Sequence, residues 1–186
     1  MNSVTRLADA PGLASIATDI LFYGTGDCAL GKVLLARGNK GICAILLGET
    51  QHELEAELAG RFPKATLIAN EAMIRAELAK VVRYADKPSE GLDLELDMRG
   101  TQLQKRIWEQ IRAIPAGKTL SYMQPARLIN RVYPRFAARV VANACAANPL
   151  ALAVPCHRVV RSDGELAGYR WGTERKREVL EKEAMA

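Results

Sequence analysis

The sequence predicts an α+β protein with a strand-rich first part and a mostly helical second part that carries a helix-turn-helix. The two domains are expected over residues 1–96 and 97–186. Short β-branched or aliphatic runs separated by glycine turns predict the first. Capping boxes, proline breaks and a helical apolar period predict the second. Between them, Asp86-Lys87-Pro88-Ser89-Glu90-Gly91 is a polar break that suits a linker. A length of 186 residues accommodates one large domain or two small ones.

Residues 20–24, 32–36 and 42–47 read as a strand meander, divided by Gly-Asp, Gly-Asn and Gly-Lys turns. Helical periodicity follows at residues 52–61 and 71–84, with a strand over Thr66–Ala69 between them. Leu92, Leu94, Leu96 and Met98 alternate with acids, which predicts one half-buried strand. Thr101-x-x-Gln104 is a capping box, and Leu103, Ile107 and Ile111 share one face of the helix it opens. Pro115-Ala116-Gly117 breaks that helix. Ser121-x-x-Gln124 reads as a second capping box, opening a helix to Ile129 with Pro125 in its first turn. Pro134 suits the first turn of a third helix over residues 135–147, with Phe136, Val140 and Ala144 facing inward until Asn148-Pro149 stops it. Two short helices joined by a turn, with a third before them, form a helix-turn-helix pattern. A final helix is expected from Thr173 to about Ala184.

Charge is informative once divided. Residues 1–97 hold 10 Lys+Arg against 14 Asp+Glu, net −4, and residues 98–186 hold 16 against 7, net +9. This asymmetry predicts a polyanionic partner for the second part; a solvated basic surface is the plain alternative. Alanines thin the third helix while Arg135 and Arg139 project from it, which allows close approach to a nucleic-acid backbone. Alanine's helix propensity alone would also account for them. Apolar residues at 49% and charged residues at 25% exclude disordered and fibrous classes. Cys28, Cys43, Cys145 and Cys156 lack disulfide-scaffold or zinc spacing, and no apolar run approaches the ~18 residues of a membrane span. A reduced, cytoplasmic setting without membrane association is the expectation.

Pro155-Cys156-His157-Arg158 sets one of the 2 histidines beside one of the 4 cysteines, within apolar flanks. A thiol attacks as thiolate, so a neighbouring base is an activating device. A buried structural cysteine is the alternative.

Asn148-Pro149, the apolar run to Val154, Pro155-Cys156-His157-Arg158-Val159-Val160, Gly164, Gly168-Tyr169-Arg170-Trp171-Gly172 and Glu183 together resemble the O6-alkylguanine-DNA alkyltransferases, the methylated-DNA–protein-cysteine methyltransferases. The likeness covers about residues 20–183 and is densest from residue 97; it is nearest to the C-terminal methyltransferase part of bacterial adaptive-response (Ada) proteins. It implies a ribonuclease-H-like first domain, a winged-helix-like second domain, and a monomer acting on double-stranded DNA that contains alkylated bases. The implied activity moves the alkyl group of O6-methylguanine, and less efficiently of O4-methylthymine, to the protein's own cysteine. On this chain the acceptor would be Cys156, and His157 its base, acting through a water. Glu183 would orient His157, and Asn148 would brace the turn before the acceptor. Tyr122 would donate a proton toward guanine N3. Arg139 would replace the flipped base in the stack, with Arg135 and Ser121 also contacting DNA. Tyr169 and the backbone around Val159 and Arg170 would line the base pocket. No cofactor or metal is implied.

Chemistry supports the carry-over. Methyl transfer from oxygen to sulfur needs a thiolate, a held substrate and charge relief on the leaving oxygen. If the Cys156-His157 segment is extended, the two side chains diverge and a water bridge is required. The product is a thioether that no hydrolysis reopens, so one turnover per molecule is expected. The chain departs from the family spacing by about three extra residues near Asn130-Arg131-Val132-Tyr133, and by Pro125 where a leucine is usual. The zinc-binding and regulatory portions of Ada proteins have no counterpart in the sequence, so no phosphotriester repair or transcriptional role is expected. A non-catalytic lesion binder and a helix-turn-helix regulator with a structural Cys156 are the alternatives.

Overall fold

The computed structural model describes residues 19–126, 137–166 and 168–185. Four strands form the main sheet: β1 (Ile20–Cys28), β2 (Gly31–Gly38), β3 (Gly41–Gly48) and β4 (Thr66–Ala69). Their order is β3-β2-β1-β4, with β1, β2 and β3 antiparallel and β4 parallel to β1. The meander is as expected, except that β1 runs beyond Gly24 to Cys28 and turns at Ala29-Leu30. Val33 to Ala36 of β2 and Ile42 to Leu47 of β3 are buried without alternation, as strands covered on both faces require. Helix α1 (Gln51–Arg61) packs Leu54 and Leu58 inward, and α2 (Glu71–Asp86) packs Ile74, Val81, Tyr84 and Ala85. Thr50 and Glu53 close a capping box on α1, and Asn70 caps α2.

The outer edge of β3 is where the second part of the chain joins the sheet. A bulge at Cys43 lets Ala36 face Ala44 and Arg37 face Ile42, which re-aims the free backbone groups along β3. Before the bulge, Ile42 N–H donates to Glu95 O at 2.9 Å and Ile42 O accepts from Asp97 N–H at 2.8 Å. After it, Ile45 N–H donates to Pro149 O at 2.8 Å and Ile45 O accepts from Ala151 N–H at 2.9 Å. The strand expected over residues 92–98 is therefore reduced to one bridge, Ile42 with Leu96. Its alternation is real, since Leu94 is buried and Asp93 and Glu95 are exposed, but the bulge hands the rest of the edge to residues 149–151. Gly41 permits the close approach: at φ +128°, a Cβ would lie 2.6 Å from Glu95 O.

In the second part, α3 (Gln102–Arg112) opens on the Thr101–Gln104 capping box and buries Ile107, Trp108 and Ile111. Strand β5 (Leu120–Ser121) pairs parallel with β6 (Val159–Val160). Between them in sequence lie α4 (Met123–Ala126) and α5 (Ala137–Ala147), and α6 (Thr173–Ala184) closes the fold. Ser121 is a strand residue facing Val160, two positions before α4 begins at Met123. The inward face of α5 is Ala137, Val141 and Ala144; Ala144 is as expected, whereas Val141 takes the place expected for Val140, which is half-buried. Phe136, Pro134, the end of the helix-turn-helix near Ile129, and the extra residues 130–133 lie outside the described residues. No helix among the described residues is long and apolar enough to cross a membrane.

Candidate active site

Helix α5 and the β3 edge together position the Cys156 segment. The last carbonyls of α5 are all satisfied from elsewhere: Ala144 O by Trp108 Nε1 at 2.8 Å, Cys145 O by Asn148 N–H at 3.2 Å. Ala146 O accepts from Arg170 Nη1 at 3.0 Å and Ala147 O from Arg61 Nη1 at 3.3 Å. Two guanidiniums thus sit where a helix C-terminus favours positive charge. Glu57 of α1 holds both, pairing with Arg61 at 3.0 Å and Arg170 at 2.9 Å.

Asn148 follows, fully buried, and spends its side chain on the turn ahead. Its Nδ2 donates to Val154 O at 3.0 Å and to Cys156 Sγ at 3.3 Å, while its Oδ1 accepts from Leu150 N–H at 2.9 Å. The turn it spans is tight: Leu152 adopts φ +66°, a left-handed backbone that costs a non-glycine residue about 1–2 kcal/mol. Cys156, His157 and Arg158 then form a single 3₁₀ turn after Pro155, so the acceptor segment is not extended.

Behind Cys156 lies a buried, densely paired network. His157 Nε2 lies 2.8 Å from Glu183 Oε1. Arg158 Nε donates to both Glu183 oxygens, at 3.2 and 3.0 Å, and its Nη2 donates to Oε1 at 2.8 Å. Tyr84, from α2, donates its hydroxyl to Glu183 Oε1 at 3.1 Å and accepts from Arg158 Nη2 at 2.8 Å. Gly117 N–H reaches Glu183 Oε2 at 3.4 Å, its φ of +70° turning the chain close beneath α6. On α6, Lys176 is wholly buried and donates to Val159 O at 2.7 Å. Arg158 thus pairs with the Glu183 carboxylate, while Lys176 is held by a backbone carbonyl.

The protonation states follow from burial and partners. Burial pushes the Cys156 thiol up, well above its usual range, against the lowering effects of Asn148's hydrogen bond and Lys176's charge. Burial also pushes the His157 imidazole down, although Glu183 opposes it. For Glu183 burial acts upward, but hydrogen bonds and charge from His157 and Arg158 prevail and hold the carboxyl at about 2. The site rests as a neutral thiol and a neutral imidazole backed by a carboxylate. His157 Nδ1, the ring nitrogen turned from Glu183, is buried and makes no hydrogen bond to the described residues.

In front of Cys156 is a pocket of about 420 Å³, lined by Tyr122, Ala142, Cys145, Ala146, Cys156, Gly168, Tyr169 and Arg170. That volume lies within the range of about 300–1,000 Å³ common to small-ligand sites. Tyr122 enters it because its N–H donates to Val160 O at 3.1 Å, extending the β5–β6 pairing. Burial first, then the two cysteines, raise the Tyr122 phenol to about 12, so it is a donor at neutral pH. Tyr169 stacks edge-on between His157 and Trp171, with centroids at 6.2 and 5.2 Å. Exposed Arg139 lies on α5 one and two turns before Ala142 and Ala146, on the same face of that helix.

Of the residues singled out from sequence, Cys156, His157, Asn148 and Glu183 converge, and Tyr122, Tyr169 and Arg170 share the pocket with Cys156. Val159 does not line it: its side chain is buried and its carbonyl is taken by Lys176. Ser121 is half-buried in β5, and Arg135 lies outside the described residues. Tyr84, Lys176, Cys145 and Glu57, and the part played by Arg158, were not found from sequence. The Arg158 guanidinium beside the motif was the one available signal, because a charge in an apolar run needs a buried partner.

Known proteins resemble this chain in sequence and in fold. Residues 102–185 match the family model of the 6-O-methylguanine DNA methyltransferase DNA-binding domain. The Escherichia coli bifunctional transcriptional activator/DNA repair enzyme Ada is 46% identical over 162 residues, covering 87% of this chain. The chain spans only 45% of that relative's length. The Candida albicans methylated-DNA–protein-cysteine methyltransferase is 32% identical over 175 residues, covering 89% of this chain and 97% of the relative. The chain belongs to the methylated-DNA–protein-cysteine methyltransferase family. The Mycobacterium tuberculosis family member crystallised in complex with DNA shares the fold: TM-score 0.65 at 30% identity, over 88% of this chain and 93% of that one. Against this family the α+β architecture of the chain, with its sheet and flanking helices, is the shared one.

Proposed function

We propose that this chain repairs DNA directly, moving the alkyl group of O6-methylguanine, and also of O4-methylthymine, onto its own Cys156 once per molecule. The observation that carries the reading is Cys156 itself. Its sulfur opens on a pocket of suitable size, is held by Asn148, and sits beside the His157–Glu183 pair. In the transfer, the C–O6 bond breaks as the C–S bond forms, and the thiol proton passes to His157 through a bridging water. Glu183 stabilises the imidazolium that results. Tyr122 donates to guanine N3 and relieves charge on the departing base. The resting pair is neutral, so the thiolate forms in the pocket as the reaction proceeds.

The nucleotide reaches this pocket only if flipped out of the duplex, at a cost of a few kcal/mol. Exposed Arg139 on the pocket face of α5 suits a residue that fills the vacated stack, and Arg135 and Ser121 would add contacts to the backbone in the minor groove. Sheet order supports a ribonuclease-H-like first domain over residues 1–96, since three antiparallel strands carry a fourth parallel to β1. The helices and short β5–β6 pair support a winged-helix-like domain over residues 97–186. A cytoplasmic monomer acting without cofactor completes the reading.

Mass spectrometry tests it. Mixed with duplex DNA carrying O6-methylguanine, the protein should gain one methyl on Cys156, saturating at one equivalent. Cys156→Ala should gain none. An unchanged mass for folded wild-type protein overturns the proposal.

A further inference from the structure

Cys145 is the pocket residue that the transfer chemistry does not use. It sits half-buried on α5 and lines the same cavity as Cys156. One residue fixes their relation: Asn148 N–H donates to Cys145 O at 3.2 Å, and Asn148 Nδ2 donates to Cys156 Sγ at 3.3 Å. The neighbours on the α5 side, Ala142 and Ala146, are small and leave the pocket open beside both cysteines. The other two cysteines belong elsewhere: Cys43 is buried in the sheet with its thiol on Ala36 O, and Cys28 ends β1.

We propose that Cys145 and Cys156 form a redox-closable pair, joined as a disulfide by a small hydroperoxide that enters the base pocket. The hydroperoxide oxidises one thiol to a sulfenic acid, breaking its O–O bond and releasing water or an alcohol. The second thiol then attacks that sulfur, the S–S bond forms, and the sulfenic oxygen leaves as water. Two thiols and one hydroperoxide give one disulfide, one water, and one alcohol or second water. The consequence rests on Cys156 being the acceptor. A closed pair cannot accept an alkyl group, yet a thiol reductant reopens it. Without Cys145, oxidation of Cys156 proceeds to sulfinic and sulfonic acids, which thiols do not reverse. For a protein consumed by one reaction, the pair keeps oxidation from being a second irreversible loss.

Hydrogen peroxide is the probe. Treated wild-type protein should lose two hydrogens in mass, and peptide mapping should find Cys145 linked to Cys156. Transfer from O6-methylguanine should fall with the cross-link and return with dithiothreitol. Cys145→Ser, compared with its own untreated sample, should instead gain oxygen on Cys156 and lose transfer that dithiothreitol does not restore. Circular dichroism of the untreated variant checks that it folds. Oxygen adducts without a cross-link in the wild type, a cross-link elsewhere, or reversible loss in Cys145→Ser would each overturn the pair. The cross-link is read without DNA. Untreated protein that fails to take up methyl would therefore sink the transferase reading and leave the result on the pair standing.

Discussion

The two sides of Cys156 are built on opposite principles. Behind it, Glu183 collects His157, Arg158, Tyr84 and the Gly117 amide, and all of those contacts but the last are buried. In front, Ala142, Ala146 and Gly168 leave a pocket that the fold does not fill. The rear fixes geometry and protonation, because low dielectric makes each polar contact costly to leave unmade. The front yields volume, which a base needs. Reactivity and access are thereby separated: a change behind the sulfur alters both chemistry and stability, whereas a change in front alters chemistry or binding alone.

Glu183→Gln breaks the comparison most severely. It leaves the Arg158 charge unpaired in the interior, which costs about 3–5 kcal/mol. Loss of the imidazolium's partner should slow transfer by about 10²-fold or more. The pH dependence has a definite sign. Glu183 has a folded pKa of about 2 against its usual 4.5, so its contribution is complete above 4.5 and is lost as pH falls through about 2. Urea unfolding at neutral and acid pH should show a lower midpoint for the variant and a shallower decline over that window. Tyr122→Phe tests the front. Removing one donor to the leaving base should slow single-turnover transfer on the order of 10²-fold, with thermal stability unchanged. A matching loss of stability would show that Tyr122 belongs to the scaffold. Glu57→Gln gives the smallest effect. Loosening Arg170 and Arg61 at the end of α5 should raise the DNA concentration for half-maximal transfer about two- to fivefold, as partly exposed pairs allow, while the limiting rate stays. A fall in the limiting rate instead would move Glu57 to the chemical side of the division, and Glu57→Asp should restore the wild-type concentration dependence.

The same division marks what the sequence revealed. Strands β1 to β3 were legible because apolar runs and glycine turns are local signals, and α3 because Thr101 and Gln104 cap it within one turn. The alternation of Leu92 to Met98 was genuine but misleading, because pairing on that edge is decided by a bulge about fifty residues earlier, at Cys43. At the site, Cys156 and His157 were legible as a compact motif, whereas Asn148 and Glu183 came only through the resemblance to the alkyltransferases. Tyr84 and Glu57 were not legible, because helices α1 and α2 show ordinary amphipathic spacing, and nothing local says which distant charge each will meet. Cys145 and Lys176 were hidden for the same reason: their significance lies in neighbours that only the fold supplies.

The stitching of residues 149–151 to Ile45, together with the 99-residue separation between Tyr84 and Glu183, has a kinetic meaning. Contacts so distant in sequence form late, after the loops between them have closed. The acceptor turn cannot acquire its shape from local signals, since Leu152 is held left-handed there against its own preference. Assembly of the sheet must therefore precede assembly of the nucleophile. On the proposed function, the chain carries its single-use sulfur through folding as an ordinary thiol, and the groups that activate it gather around it last.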